Sequence, residues 1–247
     1  MENSISVHQL SVSYDGISAI KNISFQSDGG KLVGIIGPNG AGKSTLIKAI
    51  LGLTPTDKGE VTFNNRSLKE VRKQIAYVPQ RNAIDWNFPI TVLDTVTLGT
   101  YPGLGVFHRP KKQEKQWAYE CLKQVGMESF SKKQIGELSG GQQQRIFLAR
   151  ALAQQASYFF LDEPFVGIDI SSEGTIISIL KKLRNEGKTV FVVHHDLTKV
   201  NDYFDDLLLI NHVLIKYGSV QSVIQPDTMK KAYRTDFSLL NTLGGGD

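Results

Sequence analysis

Short apolar runs alternate along the chain with longer stretches in which apolar residues return every three or four positions. Lys31–Gly37 (KLVGIIG) reads as a buried strand running directly into a glycine-rich loop, and Ser44–Gly52 beyond it reads as a helix. Further strand-like runs fall at Glu60–Phe63 and Gln74–Val78. From about Thr91 the pattern turns helical, over Thr91–Leu98, Lys111–Val125 and Gly140–Gln154, before strands return at Ser157–Leu161 and Thr189–Val193. Between those two strands Ile176, Ile179, Leu180 and Leu183 keep the spacing of a helix with one buried face, and Gly187 is a natural stop for it. Two more short strands are expected at Asp206–Ile210 and Val213–Lys216, with the tail from Ser219 to Asp247 frayed. Strand–helix alternation of this kind predicts a parallel sheet covered by helices. The block at 81–155 reads as a helical insertion into it.

Two glycine-rich stretches carry the candidate chemistry. The first, Gly37, Pro38, Asn39, Gly40, Ala41, Gly42, Lys43, Ser44 and Thr45, satisfies G-x-x-x-x-G-K-[ST] between a strand and a helix. Glycines there let backbone amides turn inward around a phosphate, and the helix N-terminus adds partial positive charge. Lys43 supplies a full charge for the β- and γ-phosphates and Ser44 a hydroxyl for magnesium, which makes this a nucleoside triphosphate site. The apolar run Tyr158–Leu161 then ends in two acids. Asp162, at the end of a buried strand, is placed to hold magnesium through water, and Glu163 to face the attacking water as general base. The second stretch, LSGGQ at Leu138–Gln142, puts Gly140 and Gly141 in the first turn of a helix, where each costs about 0.8–1 kcal/mol against alanine. Ser139 is a good N-cap, but capping alone does not explain two destabilising glycines in succession.

Lys43, Gln80 after Tyr77-Val-Pro, LSGGQ, Asp162 and His195 after Thr189–Val193 come in an order that resembles the ATP-binding cassette (ABC) ATPases, over about residues 4 to 217. The resemblance implies an α/β fold: a P-loop NTPase core with a mostly parallel sheet, an N-terminal antiparallel β part and a helical subdomain insertion. It divides the single domain into a nucleotide-binding core (1–80 and 156–217), a helical subdomain (81–155) and a C-terminal tail (218–247). It further implies a homodimer with MgATP between the chains. Each ATP would be held by the phosphate loop of one copy and by Ser139, Gly140, Gly141 and Gln142 of the other. Tyr14 in VSYDG resembles the aromatic that stacks on adenine, the alternative being a surface tyrosine on an edge strand. Gln80 resembles the glutamine that touches magnesium (with Ser44 and Asp162) and water, and His195 the switch histidine on the γ-phosphate. Asp169 in Gly167-Ile-Asp169 resembles the loop crossing the dimer interface, although it departs from the common SALD form. A His194-His195-Asp196 metal site is the competing reading of that strand end, with poor geometry because neighbouring side chains on a strand point to opposite faces.

The stretch Gln80–Pro89, QRNAIDWNFP, with LGVFHRP at Leu104–Pro110 and Asp162–Asp169, resembles the manganese, zinc and iron branch of ABC importers, and most of all its manganese members. There the region receives a helix of an integral-membrane permease, which singles out Trp86, Phe88 and Pro89 as anchors against the alternative of internal packing. The resemblance implies an extracytoplasmic metal-binding protein as an indirect partner and a place on the cytoplasmic face of the cell membrane. A DNA- or ribosome-acting ABC protein would carry two cassettes or a long coiled coil, and a small-molecule kinase would lack LSGGQ. No nucleic-acid partner is expected.

Composition narrows the picture only a little. The 247 residues are 40% hydrophobic and 21% charged, an ordinary globular balance, with a net charge of +4 that suits anionic partners or merely a lysine-rich surface. The single cysteine, Cys121, excludes an internal disulfide and fits a reducing compartment. MENSISVHQL lacks the basic start and apolar stretch of a signal peptide, and apolar runs such as Leu207–Ile210 fall far short of the roughly 20 residues a membrane helix needs, so a soluble cytoplasmic chain is expected.

Overall fold

Strands that show alternate residues to two different cores organise the chain, which the computed structural model describes at residues 3–86, 88–104 and 108–233. The N-terminal half contains β1 (Ile5–Tyr14), β2 (Ile17–Ser27), β3 (Leu32–Ile36), α1 (Lys43–Ile50), β4 (Lys58–Phe63), β5 (Arg66–Ser67), α2 (Leu68–Val71) and β6 (Ile75–Val78). Helices α3 (Val92–Thr97), α4 (Lys112–Gln124) and α5 (Gly140–Ala153) follow. Then come β7 (Tyr158–Leu161), α6 (Ile170–Asn185), β8 (Thr189–Val193), α7 (Val200–Tyr203), β9 (Asp206–Asn211), β10 (Val213–Ser219) and α8 (Val220–Val223), with a last helical stretch at 226–233. The fold is the expected α/β arrangement, with a mostly parallel sheet, an N-terminal antiparallel sheet and a helical insertion. Six strands in the order β10-β9-β3-β8-β7-β6 form one sheet, parallel except for β10, and β2-β1-β4-β5 form a separate antiparallel sheet.

Period-two alternation sorts the parallel strands between two cores. Leu32, Phe159, Leu161, Val190, Val192, Leu207 and Leu209 face the core built with α5 and α6. Val33, Ile35, Tyr158, Phe160, Phe191, Val193, Leu208 and Ile210 face α1 and the antiparallel sheet. Within the second core Phe160 stacks on Phe191 with centroids 5.4 Å apart. Burial on both faces is why these strands read as unbroken apolar runs. The chain leaves the sheet after β6 and returns beside it at β7. Apart from one isolated Thr91–Gln134 bridge, the described elements between them are all helical. Gly99 packs tightly there, since a Cβ on it would lie 2.1 Å from the Arg150 carbonyl oxygen on α5.

The expected N-terminal antiparallel β part is present, with β1 paired to β2, and one expectation changes, that for the tail. The apolar-run reading misses β1 and β2, because their alternation slips phase: register shifts separate Val7 from Leu10, and Gln9 and Asn22 take positive φ. The frayed tail expected from Ser219 is ordered through 233, because Val220, Val223 and Ala232 are buried and the Asn211 side chain donates to the Ala232 carbonyl. The end of that tail, GGGD, lies outside the described residues. Among the described residues no helix is long and apolar enough to cross a membrane.

Tyr158 carries a testable cost. Its ring packs edge-on against Phe63 at 5.1 Å, yet its buried hydroxyl meets no hydrogen-bond partner among the described residues. An unpaired buried hydroxyl destabilises, so Tyr158→Phe should raise stability by about 1 kcal/mol in urea unfolding. A loss of stability of that size would show that the hydroxyl is bonded.

Candidate functional site

Sheet order brings the site together, because β3, β8, β7 and β6 are parallel neighbours and release their loops at one edge. The phosphate-type loop leaves β3 at Gly37, which has φ 151° and whose missing Cβ would sit 2.1 Å from the Ile210 carbonyl oxygen. Only glycine fits that approach. Gly42, the N-cap of α1, has φ 90° and no side chain to cap the first turn. The amides of that turn are therefore left for an external acceptor. Lys43 is buried and donates from Nζ to the carbonyls of Gly37 at 2.9 Å and Pro38 at 2.8 Å. Burial pushes its ammonium below the ordinary lysine value, opposed by the charges of Glu163 and Asp162. Asn39 to Thr45, with Glu163 and His195, line a cleft of about 210 Å³.

Asp162 is buried at the end of β7 and accepts from the Ser44 hydroxyl at 2.8 Å. Burial pushes its carboxyl above the ordinary range, and the Ser44 bond opposes that shift. Glu163 follows with φ 53°, a left-handed backbone costly for a residue with a long side chain and common at functional sites. That turn aims its carboxylate into the cleft, where Gln80 Nε2 donates to Oε2 and His195 Nε2 meets Oε1 at 2.5 Å. Three residues singled out in the sequence thus touch. His194 faces elsewhere: its ring lies among Phe165, Tyr203 and Phe204, and burial holds it below the ordinary histidine value. His194 and His195 thus have different ring partners, although both border one cavity.

Ser139 caps α5. Its Oγ accepts from the Gln142 amide at 3.4 Å, and Gln142 Oε1 accepts from the Ser139 amide at 3.0 Å, a reciprocal capping box. The glycines have an explanation within one chain that sequence reasoning missed. A Cβ on Gly140 would come within 3.0 Å of the Arg81 guanidinium, and one on Gly141 within 2.9 Å of Ser172 Oγ and 3.2 Å of Asp169 Oδ2. Asp169 caps α6 by accepting from the Ser172 amide at 2.9 Å and the Ser172 hydroxyl at 2.8 Å. Those hydrogen bonds hold its carboxyl below the ordinary aspartate value. Beside it Val166 and Ile170 are 56% and 85% exposed. The glycine pair therefore does not by itself require a second molecule. The residues 138–142 do not line the cleft around Lys43.

Arg81 was legible only as the residue after Gln80, yet its Nε donates to the buried Gln143 of α5 at 3.0 Å and its guanidinium lies over Trp86. Trp86 is partly buried: its ring meets Phe147 edge-on at 5.3 Å and its indole N–H donates to the Arg81 carbonyl at 3.1 Å. Phe88, at 59% exposure, and Pro89 face solvent. Residues 105–107 of LGVFHRP lie outside the described residues. Tyr14 is exposed at the end of β1, an interior strand rather than an edge, with its hydroxyl 3.4 Å from Thr54 Oγ1.

The family model described as ABC transporter matches residues 20–166. The manganese transport system ATP-binding protein MntB of Listeria innocua is 55% identical over 93% of this chain and 95% of its own length. The zinc transport system ATP-binding protein TroB of Treponema pallidum is 48% identical over 93% of this chain and 86% of its own. Among solved structures, a bacterial ABC transporter cassette determined as a dimer superposes with a TM-score of 0.78 at 30% identity, covering 87% of this chain and 98% of that one.

Two glycine substitutions separate packing from helix propensity. A Cβ on Gly174, in α6, meets nothing within 4 Å, so Gly174→Ala should stabilise the chain by about 1 kcal/mol. Gly141→Ala should instead destabilise it by about 1 kcal/mol, through crowding of Ser172 and Asp169. Equal stabilisation by both, in urea unfolding, would show that α5 does not rest on the start of α6.

Proposed function

This chain belongs to the ABC transporter family, and from that membership we propose that it is the ATP-hydrolysing subunit powering import of a divalent metal ion, manganese, through a separate permease. The observation that carries the chemistry is the Glu163 carboxylate, held by Gln80 and His195 at the mouth of the cleft that begins at Lys43. The cargo rests on the manganese wording of MntB, with the zinc wording of TroB as the second reading.

In this reading the adenine stacks on Tyr14, and the loop from Gly37 to Thr45 wraps the phosphates with backbone amides while Lys43 turns from its loop carbonyls to the β- and γ-oxygens. Ser44 and Asp162, already hydrogen-bonded to each other, are hard oxygen donors that fit magnesium, with Gln80 completing the set. Bound magnesium supplies charge neutralisation across the phosphate oxygens. Glu163 accepts the proton of the attacking water as its oxygen bonds to the γ-phosphorus and the bond to the β-phosphate oxygen breaks, giving ADP and phosphate. His195 leaves Glu163 to donate to the γ-phosphate, and Gln80 orients the water. Since 138–142 lie away from this cleft, Ser139, Gly140, Gly141 and Gln142 are assigned to the ATP of a second copy, with Asp169 and the exposed Val166 and Ile170 at the interface between copies. Trp86, Phe88 and Pro89 are the surface offered to the permease, which holds the chain at the cytoplasmic face. An extracytoplasmic metal-binding protein is reached only through that permease.

If Glu163 is the base, Glu163→Gln should still bind MgATP but hydrolyse it at least about a hundredfold more slowly, and near-parental turnover would remove the assignment. Lys43→Ala should fail at nucleotide binding. Phe88→Ala should leave the chain folded but reduce copurification with the multi-spanning partner and cellular metal uptake. Unchanged recovery and uptake would move the docking surface elsewhere. Cells lacking the chain should be depleted of manganese first; depletion of zinc instead would favour the second reading.

A further inference from the structure

The loop that carries His195 is fastened to the rest of the molecule by a network that the catalytic assignment does not use. Beyond His195, Asp196 closes a short turn by accepting from the Thr198 amide at 3.0 Å and hydroxyl at 2.6 Å, all at the surface. The next residue reaches inward: Lys199 Nζ donates to Glu173 Oε2 at 2.7 Å. The other carboxylate oxygen of Glu173 accepts from the Tyr203 hydroxyl at 3.0 Å. Glu173 is only 8% exposed, so a carboxylate has been taken out of water and satisfied by two donors that both follow His195 in sequence. Tyr203 also lies against the His194 ring, 5.7 Å between centroids, and so touches the residue beside His195. One cavity of about 180 Å³ has Glu163 and His195 on its wall together with Glu173 and Lys199.

The position of Glu173 in α6 gives the network direction. It lies one turn after Asp169, the cap that with Ser172 sits against Gly141. The turn of α6 supporting the start of α5 is therefore the turn to which the His195 loop is tied. We propose that Glu173, through Lys199 and Tyr203, is a positioning residue that sets where His195 stands over Glu163 and couples that position to the Gly141 end of α5. This rests on the reading of His195 as a γ-phosphate ligand. Two packed elements joined by a charge pair move together, so displacement of the Val166–Ile170 loop would be felt at His195.

A partly buried ion pair with a purely structural role would also destabilise when broken, so the test must read more than folding. Steady-state ATP hydrolysis by the full chain should be measured for Glu173→Gln, Lys199→Met, their combination, and the charge-exchanged pair Glu173→Lys with Lys199→Glu. The temperature should be one at which circular dichroism shows every variant folded. Each single change should lower kcat about tenfold with KM for ATP altered less than about twofold, since a displaced catalytic group costs rate rather than binding. The combination should be no slower than the slower single variant, and charge exchange should recover most of the rate. Parental kcat in both single variants, additive losses in the combination, or no recovery on charge exchange would each overturn the proposal. His195→Ala run alongside separates the two readings. If it hydrolyses ATP at the parental rate, the assignment of His195 fails and takes this inference with it. If it is slow while Glu173→Gln and Lys199→Met are not, this inference alone fails.

Discussion

One carboxylate gathers the site. Glu163 sits in a left-handed backbone conformation at the end of β7 and meets Gln80 from the end of β6 and His195 from the end of β8. The three come from adjacent parallel strands, with β3 and its phosphate-type loop next to β8. A parallel sheet puts the carboxyl ends of all its strands on one edge, which is where ligands bind in open α/β folds. What the chain adds is a strained residue at that edge, held by partners from both sides. Both Glu163 oxygens are hydrogen-bonded, one to Gln80 and one to His195.

The start of α5 is the second junction. Gly140 lies under Arg81, directly after Gln80, while Gly141 lies on Asp169 and Ser172, directly after the loop that follows Glu163. Two loops that begin at Gln80 and Glu163 thus end against two consecutive glycines. Helix propensity alone would disfavour that pair, and close packing explains it. The glycines serve contacts inside one chain whether or not they also meet a second molecule. Their proposed second use depends on a different fact, that Ser139 is exposed and stands away from the Lys43 cleft.

Much of this was legible in the sequence because the informative patterns were local. The doubly buried strands β3, β7, β8 and β9 announce themselves as apolar runs, and the glycine loop, the acid pair and LSGGQ are contiguous. Three things were not legible. β1 and β2 alternate, but bulges at Gln9 and Asn22 break the phase that periodicity reading needs. The contacts of Trp86 with Phe147 and Arg81 are the second, because an aromatic in a loop carries no mark of its neighbours. Arg81 and Glu173 act through partners far along the chain, Gln143 and Lys199, and such pairings are set by the fold rather than by spacing.

In the proposed arrangement a single chain holds half of each ATP site and nucleotide joins two chains. Light scattering of the purified Glu163→Gln chain without nucleotide, with ATP and with ADP tests this directly, because slowed hydrolysis preserves the ATP-bound state. The chain should be a monomer without nucleotide and with ADP and a dimer with ATP, and that dimer should be lost on adding Ser139→Arg while ATP still binds the monomer. A dimer that forms regardless of nucleotide, or one that tolerates Ser139→Arg, would contradict it.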